Sequence, residues 1–191
     1  MIQQHLKKYN HSQLNTIIQE LEIPDELRDS IASQSSDVGI LNTLISQKHY
    51  SAAVKFLALG LPKREAVWWA YICVETVEKN KQDLQTQQAL KATSEWVRQP
   101  SEENRQKVEP LAKALELYTP ASWAAMAVFW SGENIAPPGR KPVKPAEFMS
   151  GHAVSNAIFL AAEESEATDD QLKTFLKQGL HICMGGNGRI Q

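Results

Sequence analysis

The chain has only two cysteines in 191 residues, Cys73 and Cys183, both set among apolar neighbours. That number excludes a disulfide framework and a zinc cluster, and unpaired cysteines in apolar settings fit a reducing compartment. There is no excess of one charge: 20 Lys and Arg stand against 22 Asp and Glu, a net charge of −2. A dedicated nucleic-acid binder usually carries a basic patch and a high pI, so that class is not expected. The longest apolar run, Ala66 to Val74, is nine residues, about half of what a membrane helix needs. The opening residues MIQQHLKKYNHSQL have neither the apolar core nor the small-residue cleavage site of a secretory signal. A cytoplasmic protein without a membrane span is expected. The alternation of β-branched and polar residues that marks strands is also missing. The histidines, His5, His11, His49, His152 and His181, include no pair four residues apart, so no HExxH-type metal site is written here. Neither a cofactor nor a metal is expected.

What the sequence does have is helical periodicity. Residues 60–74 read GLPKREAVWWAYICV. Gly60 suits a left-handed position just past one helix, and Pro62 the first turn of the next. A helix apolar on every side belongs at the centre of a domain, so residues 62–79 are expected to be the central helix. Before it, Leu14, Ile17, Ile18 and Leu21 form a stripe with Ser12 as cap. Pro24, Asp25 and Glu26 open a short helix, and Asp37 caps another. After it comes a helix over 83–98, then one starting at Ser101 with Val108, Leu111, Ala112, Leu115 and Tyr118 inward. Pro110 should kink or break that helix. Thr119 and Pro120 start a second helix apolar on nearly all sides, to Trp130. Residues 131–145, SGENIAPPGRKPVKP, form one long loop. Pro145 opens a helix to about Glu164, and Thr168 with Gln171 matches a capping box for the last one. The expectation is an all-α, compact bundle of eight or nine helices built from antiparallel pairs. It divides into an N-terminal helical arm (1–36), a helical core domain (37–184) and a flexible tail (185–191).

Candidate sites are few. Lys63 and Arg64 place two cations in the first turn of the central helix, against its dipole. Either they bind an anion or acidic peptide together with Glu65, or they pair with groups elsewhere in the fold. Trp68 and Trp69 diverge by about 100°, so one of them can reach a groove while the other fills the core. Arg140, Lys141 and Lys144 make a basic cluster in the proline-rich loop, and a loop of that length commonly serves a purpose. The expected partner-binding residues are therefore Lys63, Arg64, Glu65, Trp69, Arg140, Lys141 and Lys144. No catalytic residue is assigned. His152 lacks a visible nucleophile, Cys73 in its apolar run should be inert, and Gly185-Gly186-Asn187-Gly188 lacks the Lys-Ser/Thr of a phosphate loop.

Four blocks, LPKREAVWWA (61–70), EWVRQPSEENR (95–105), TPASWAAMAVFWSG (119–132) and the following APP, resemble those of an uncharacterised bacterial family, a domain of unknown function. The resemblance covers roughly residues 38 to 165. Glu133-Asn134 departs from the small residues expected there. The resemblance implies an association with secretion gene neighbourhoods, type VI in particular, and hence an accessory role. The expected function is a non-enzymatic helical interaction protein: an adaptor or chaperone-like factor in a bacterial secretion or envelope-associated system, binding an acidic segment of a protein partner. The alternative is a small-ligand-binding protein or enzyme with a Trp-lined pocket using Arg64, Glu65 or His152. Self-assembly is a third possibility. Partner, pathway and oligomeric state stay open.

Overall fold

The computed structural model describes residues 6–34, 36–80, 83–137 and 139–190. His5, Ser35 of the expected polar break, Lys81 and Gln82 of the charged turn, Pro138 of the loop and Gln191 lie outside the described residues. Among those described there are ten α-helices and no strand, one or two helices more than the sequence suggests. They are α1 (Leu14–Gln19), α2 (Asp25–Ala32), α3 (Asp37–Ser46), α4 (Tyr50–Gly60), α5 (Lys63–Glu78), α6 (Leu84–Arg98), α7 (Glu102–Ala114), α8 (Pro120–Phe129), α9 (Met149–Glu163) and α10 (Thr168–Cys183). A 3-10 turn, His11–Gln13, leads into α1.

The all-round apolar pattern puts α5 in the middle, where it packs on α4, α6, α8, α9 and α10. Val67, Trp69, Ala70, Cys73 and Val74 are wholly buried. The alanines of α8 let α6, α7 and α9 approach it from separate sides. Leu6, Tyr9, Ile17, Ile18 and Leu21 join the same apolar core as α5.

Two expected caps are present. Ser101 accepts the Asn104 N–H at 3.1 Å, and Thr119 exchanges side-chain and backbone bonds with Ser122. Four other starts differ. Ser36, not Asp37, caps α3, because the buried Asp37 carboxylate accepts the Leu6 N–H at 3.3 Å. Ser12 bonds Asn10 inside the 3-10 turn and leaves α1 uncapped. Thr168 is already helical, and no capping box forms; the preceding turn is closed one step earlier, where Ser165 Oγ accepts the Ala167 N–H. Helix α9 begins at Met149 rather than Pro145. Pro145 is buried, and a turn at 147–148, with the Met149 N–H on Ala146 O at 3.1 Å, leads into the helix.

Pro110 neither breaks α7 nor ends it; the helix runs four residues further, to Ala114. Tyr118, expected inward, is 80% exposed. Glu116 and Leu117 take left-handed φ of 53° and 57°, which turns Leu117 onto the core and Tyr118 outward. Gly60 is not left-handed either. It is the last residue of α4, before the extended Leu61. Its glycine serves a close approach: a Cβ there would run into the Tyr9 ring, which stacks on Phe56 and donates its hydroxyl to Phe56 O.

Candidate functional site

The corner between α4 and α5 faces the end of the 131–148 loop across a groove of about 1000 Å³. Ala58, Leu59, Leu61, Pro62, Ala66 and Phe148 give it an apolar floor. Lys7 and Lys8 from the N-terminal segment, Lys63 from α5 and Lys144 from the loop stand around it, against two carboxylates, Glu133 and Glu147. The segment carrying Lys7 and Lys8 is held by backbone bonds: Lys8 N–H donates to Cys183 O at 3.0 Å and Asn10 N–H to Gly60 O at 2.8 Å.

The rim cations are engaged only lightly. Lys8 Nζ lies 3.2 Å from Glu65 and Lys144 Nζ 3.4 Å from Glu133, both pairs partly or largely in solvent. Pairs of this kind contribute about 0–1 kcal/mol, so a partner carboxylate can replace either one. Lys63 Nζ donates to Ser131 O at 2.9 Å.

The two opposed cations of the α5 first turn are thus compensated by carbonyls near the ends of other helices. Lys63 reaches Ser131 O just past α8, and Arg64 Nε donates to Val97 O at the end of α6, at 2.7 Å. A helix C-terminus carries partial negative charge and favours a cation there. The expected seven residues therefore separate. Lys63 and Lys144 line the groove, and Glu65 touches its rim through Lys8. Arg64 points to α6. Arg140 and Lys141 sit exposed at the loop tip, outside the lining. Trp69 is corrected outright: it is 0% exposed with its indole N–H on Phe175 O at 2.8 Å, so it offers no surface. Its neighbour Trp68 is the partly exposed one.

The groups of the ligand-pocket alternative are held apart. Arg64 holds Val97 O, Glu65 holds Lys8, and His152 Nε2 lies 3.2 Å from Glu20. Burial, and Lys55 nearby, hold the His152 pKa below the ordinary imidazole value despite Glu20 and Glu22. Burial pushes the Cys183 thiol up to about 12 and raises Cys73 well above its usual range, so neither is a ready nucleophile. Among the described residues no group of His, Cys, Asp and Glu could hold a metal ion, and no helix is long and apolar enough to cross a membrane.

The loop itself is fastened by a residue that sequence reasoning passed over, Arg105. It is 2% exposed. Its guanidinium donates to Phe129 O, to Asn134 O at 2.7 Å and to the Glu102 carboxylate at 2.6 and 2.7 Å, and lies 5.0 Å from the Phe129 ring centroid. Asn134 closes the neck: its Oδ1 accepts the N–H groups of Ala136 and Val143, beside the Ile135 N–H to Val143 O bond. Gly132 lies against the Arg105 side chain, where a Cβ would collide with it. The bonds to Arg105 hold the Glu102 carboxyl below the usual carboxylate range.

Residues 40–183 match the model of a family of unknown function, DUF6931. The chain belongs to this family. No curated protein and no solved structure matches it. The DUF6931 match takes in Lys63, Arg105, the loop and Lys144, whereas Lys7 to Gln13 lie before it. The groove is therefore built partly by the family region and partly by the segment ahead of it, which explains why blocks within the family region alone do not reveal it. The only sequence trace of that second wall is the Lys7-Lys8 pair.

Proposed function

We propose that the protein is a non-enzymatic interaction module whose groove receives an acidic, partly apolar segment of a protein partner. The observation that supports this reading is the pairing of four lysines with an apolar floor in one groove. Apolar contacts supply the area, and the cations select sign and speed association. The loop cations Arg140 and Lys141 add positive potential nearby without touching the groove. The bacterial family blocks suggest the setting, an adaptor or accessory role in a secretion or envelope-associated system. The test is fluorescence anisotropy with a labelled peptide that alternates glutamate and leucine. Wild-type protein should bind it more weakly as salt rises, and Lys63→Glu/Lys144→Glu should lose about tenfold or more in affinity. Equal binding by that variant at low salt rules out the groove as the receiving surface.

A further inference from the structure

Residues 185–190 lie across a second face of α5, the one carrying Trp68, Tyr71, Ile72 and Glu75. At about 100° per residue this face is nearly opposite the one that gives Lys63 and Ala66 to the groove. Trp68 and Tyr71 stack with ring centroids 5.3 Å apart. The Trp68 indole N–H donates to Asn187 O at 2.7 Å. The Arg189 guanidinium lies 5.4 Å from the Trp68 ring centroid and donates to Glu75 Oε2 at 2.7 Å. The other oxygen of Glu75 accepts the Tyr71 hydroxyl at 2.6 Å, which holds the carboxylate in place. Gly188, at φ 76°, passes so close to Ile72 and Ile182 that a side chain would crowd both.

These are the parts of an arginine site: an aromatic face, an oriented carboxylate and an indole donor for a backbone carbonyl. What they hold is a carbonyl, a residue without a side chain and an arginine; nothing in those contacts requires the three to belong to the same chain. The seat lies inside the DUF6931 region, which ends at residue 183, and its occupant lies outside it. The occupant is also rich in glycine, at 185, 186 and 188, and glycine loses more conformational freedom on ordering than any other residue. A less flexible segment with the same arginine would lose less.

We infer that this face of α5 is a receptor site for an extended segment of a partner protein with a small residue directly followed by arginine, and that residues 185–190 fill it in cis as a competing internal ligand. The short tether gives the internal segment an effective concentration in the millimolar range, so a partner gains access when that segment is displaced. Groove and receptor site are separate surfaces, and the inference stands without the groove.

The full chain carrying Arg189→Glu, and separately Gly188→Val, opens the site by loss of charge and by steric exclusion. A fluorescein-labelled peptide GGNGRI is the probe, read by anisotropy. Both variants should keep the wild-type far-UV circular dichroism and bind the peptide at least about tenfold tighter than wild type, whose site is filled. Acrylamide quenching of tryptophan should rise in both. Adding Glu75→Gln to Arg189→Glu should abolish binding, as should replacing the peptide arginine by glutamate. Lys63→Glu/Lys144→Glu should leave peptide binding unchanged, which separates this site from the groove. If Gly188→Val does not fold, Arg189→Glu carries the test alone. A folded Arg189→Glu chain that binds no better than wild type, or binding that survives Glu75→Gln, overturns the inference.

Discussion

Two sets of cations meet the same loop with opposite consequences. Arg105 reaches it from α7, buried, with its donors on the carbonyls of Phe129 and Asn134 and on Glu102. Lys144, Arg140 and Lys141 stand on the loop in solvent, and among them only Lys144 has a carboxylate partner, Glu133, among the described residues. The charge is the same in both places. A buried cation whose donors are met by fixed carbonyls is a fastener, because removing it strands those carbonyls away from water. An exposed cation with an exchangeable partner adds little to stability and stays available. The neck fastened by Arg105 sets where the loop's exposed charges stand.

The sharpest way to break this comparison is Arg105→Ala. It should cost about 3–5 kcal/mol and lower Tm by roughly 6–20 °C, at about 2–4 °C per kcal/mol for a chain of this size. A thermal melt followed at 222 nm checks it, and a drop under about 2 °C would show that the neck holds without its arginine. Next comes Gly132→Ala, which crowds the same side chain and should cost about 1–3 kcal/mol. Combined with Arg105→Ala it should cost less than the two singles added, since the collision then has nothing to strike. On the other side of the comparison, Arg140→Glu/Lys141→Glu/Lys144→Glu should change stability by no more than about 0.5 kcal/mol. A loss as large as that of Arg105→Ala would erase the distinction.

The smallest effect belongs to His152, a half-buried imidazole facing Lys55, Glu20 and Glu22. Its pKa in the fold is below the ordinary 6.5. As pH falls below that value the unfolded chain takes up a proton that the folded one does not, so stability declines; above it the contribution is complete. Partial exposure makes the effect small, about 1 °C or less between pH 7.5 and 5.5. His152→Gln should remove that part of the slope in paired melts at the two pH values.

The helical class and the centrality of α5 are legible in the sequence because they depend on periodicity and on the all-round apolar character of Ala66 to Val74. Ser101 and Thr119 are legible as caps because a cap is a local arrangement. The errors share a cause. Gly60 is a glycine because Tyr9, fifty-one positions away in sequence, lies against it, and no local rule can distinguish that from a left-handed turn. Ser36 caps α3 because Asp37 is taken up by Leu6. Arg105 reads as one more polar residue after a capped proline turn, since burial of a cation is decided by carbonyls on α8 and the loop. The groove gathers residues 7–13, 58–66 and 133–151, three stretches none of which has a groove-like pattern. Asn134, a departure from the family blocks, proves to be the clasp of the loop neck.

The packing of α5 against α9 and α10 has a consequence for the ribosome. Helix α5 emerges complete while α9 and α10, two of the helices that pack on it, are still untranslated. Met149 follows Glu78, the last residue of α5, by 71 residues, an interval of roughly 4–14 s at about 5–20 residues per second. Throughout that time Trp69, whose indole N–H is met by Phe175 O of α10 in the finished fold, lacks that cover. A stalled or truncated translation product ending before α9 should therefore be bound by holdase chaperones or aggregate more than the full chain, in which α9 and α10 pack on α5.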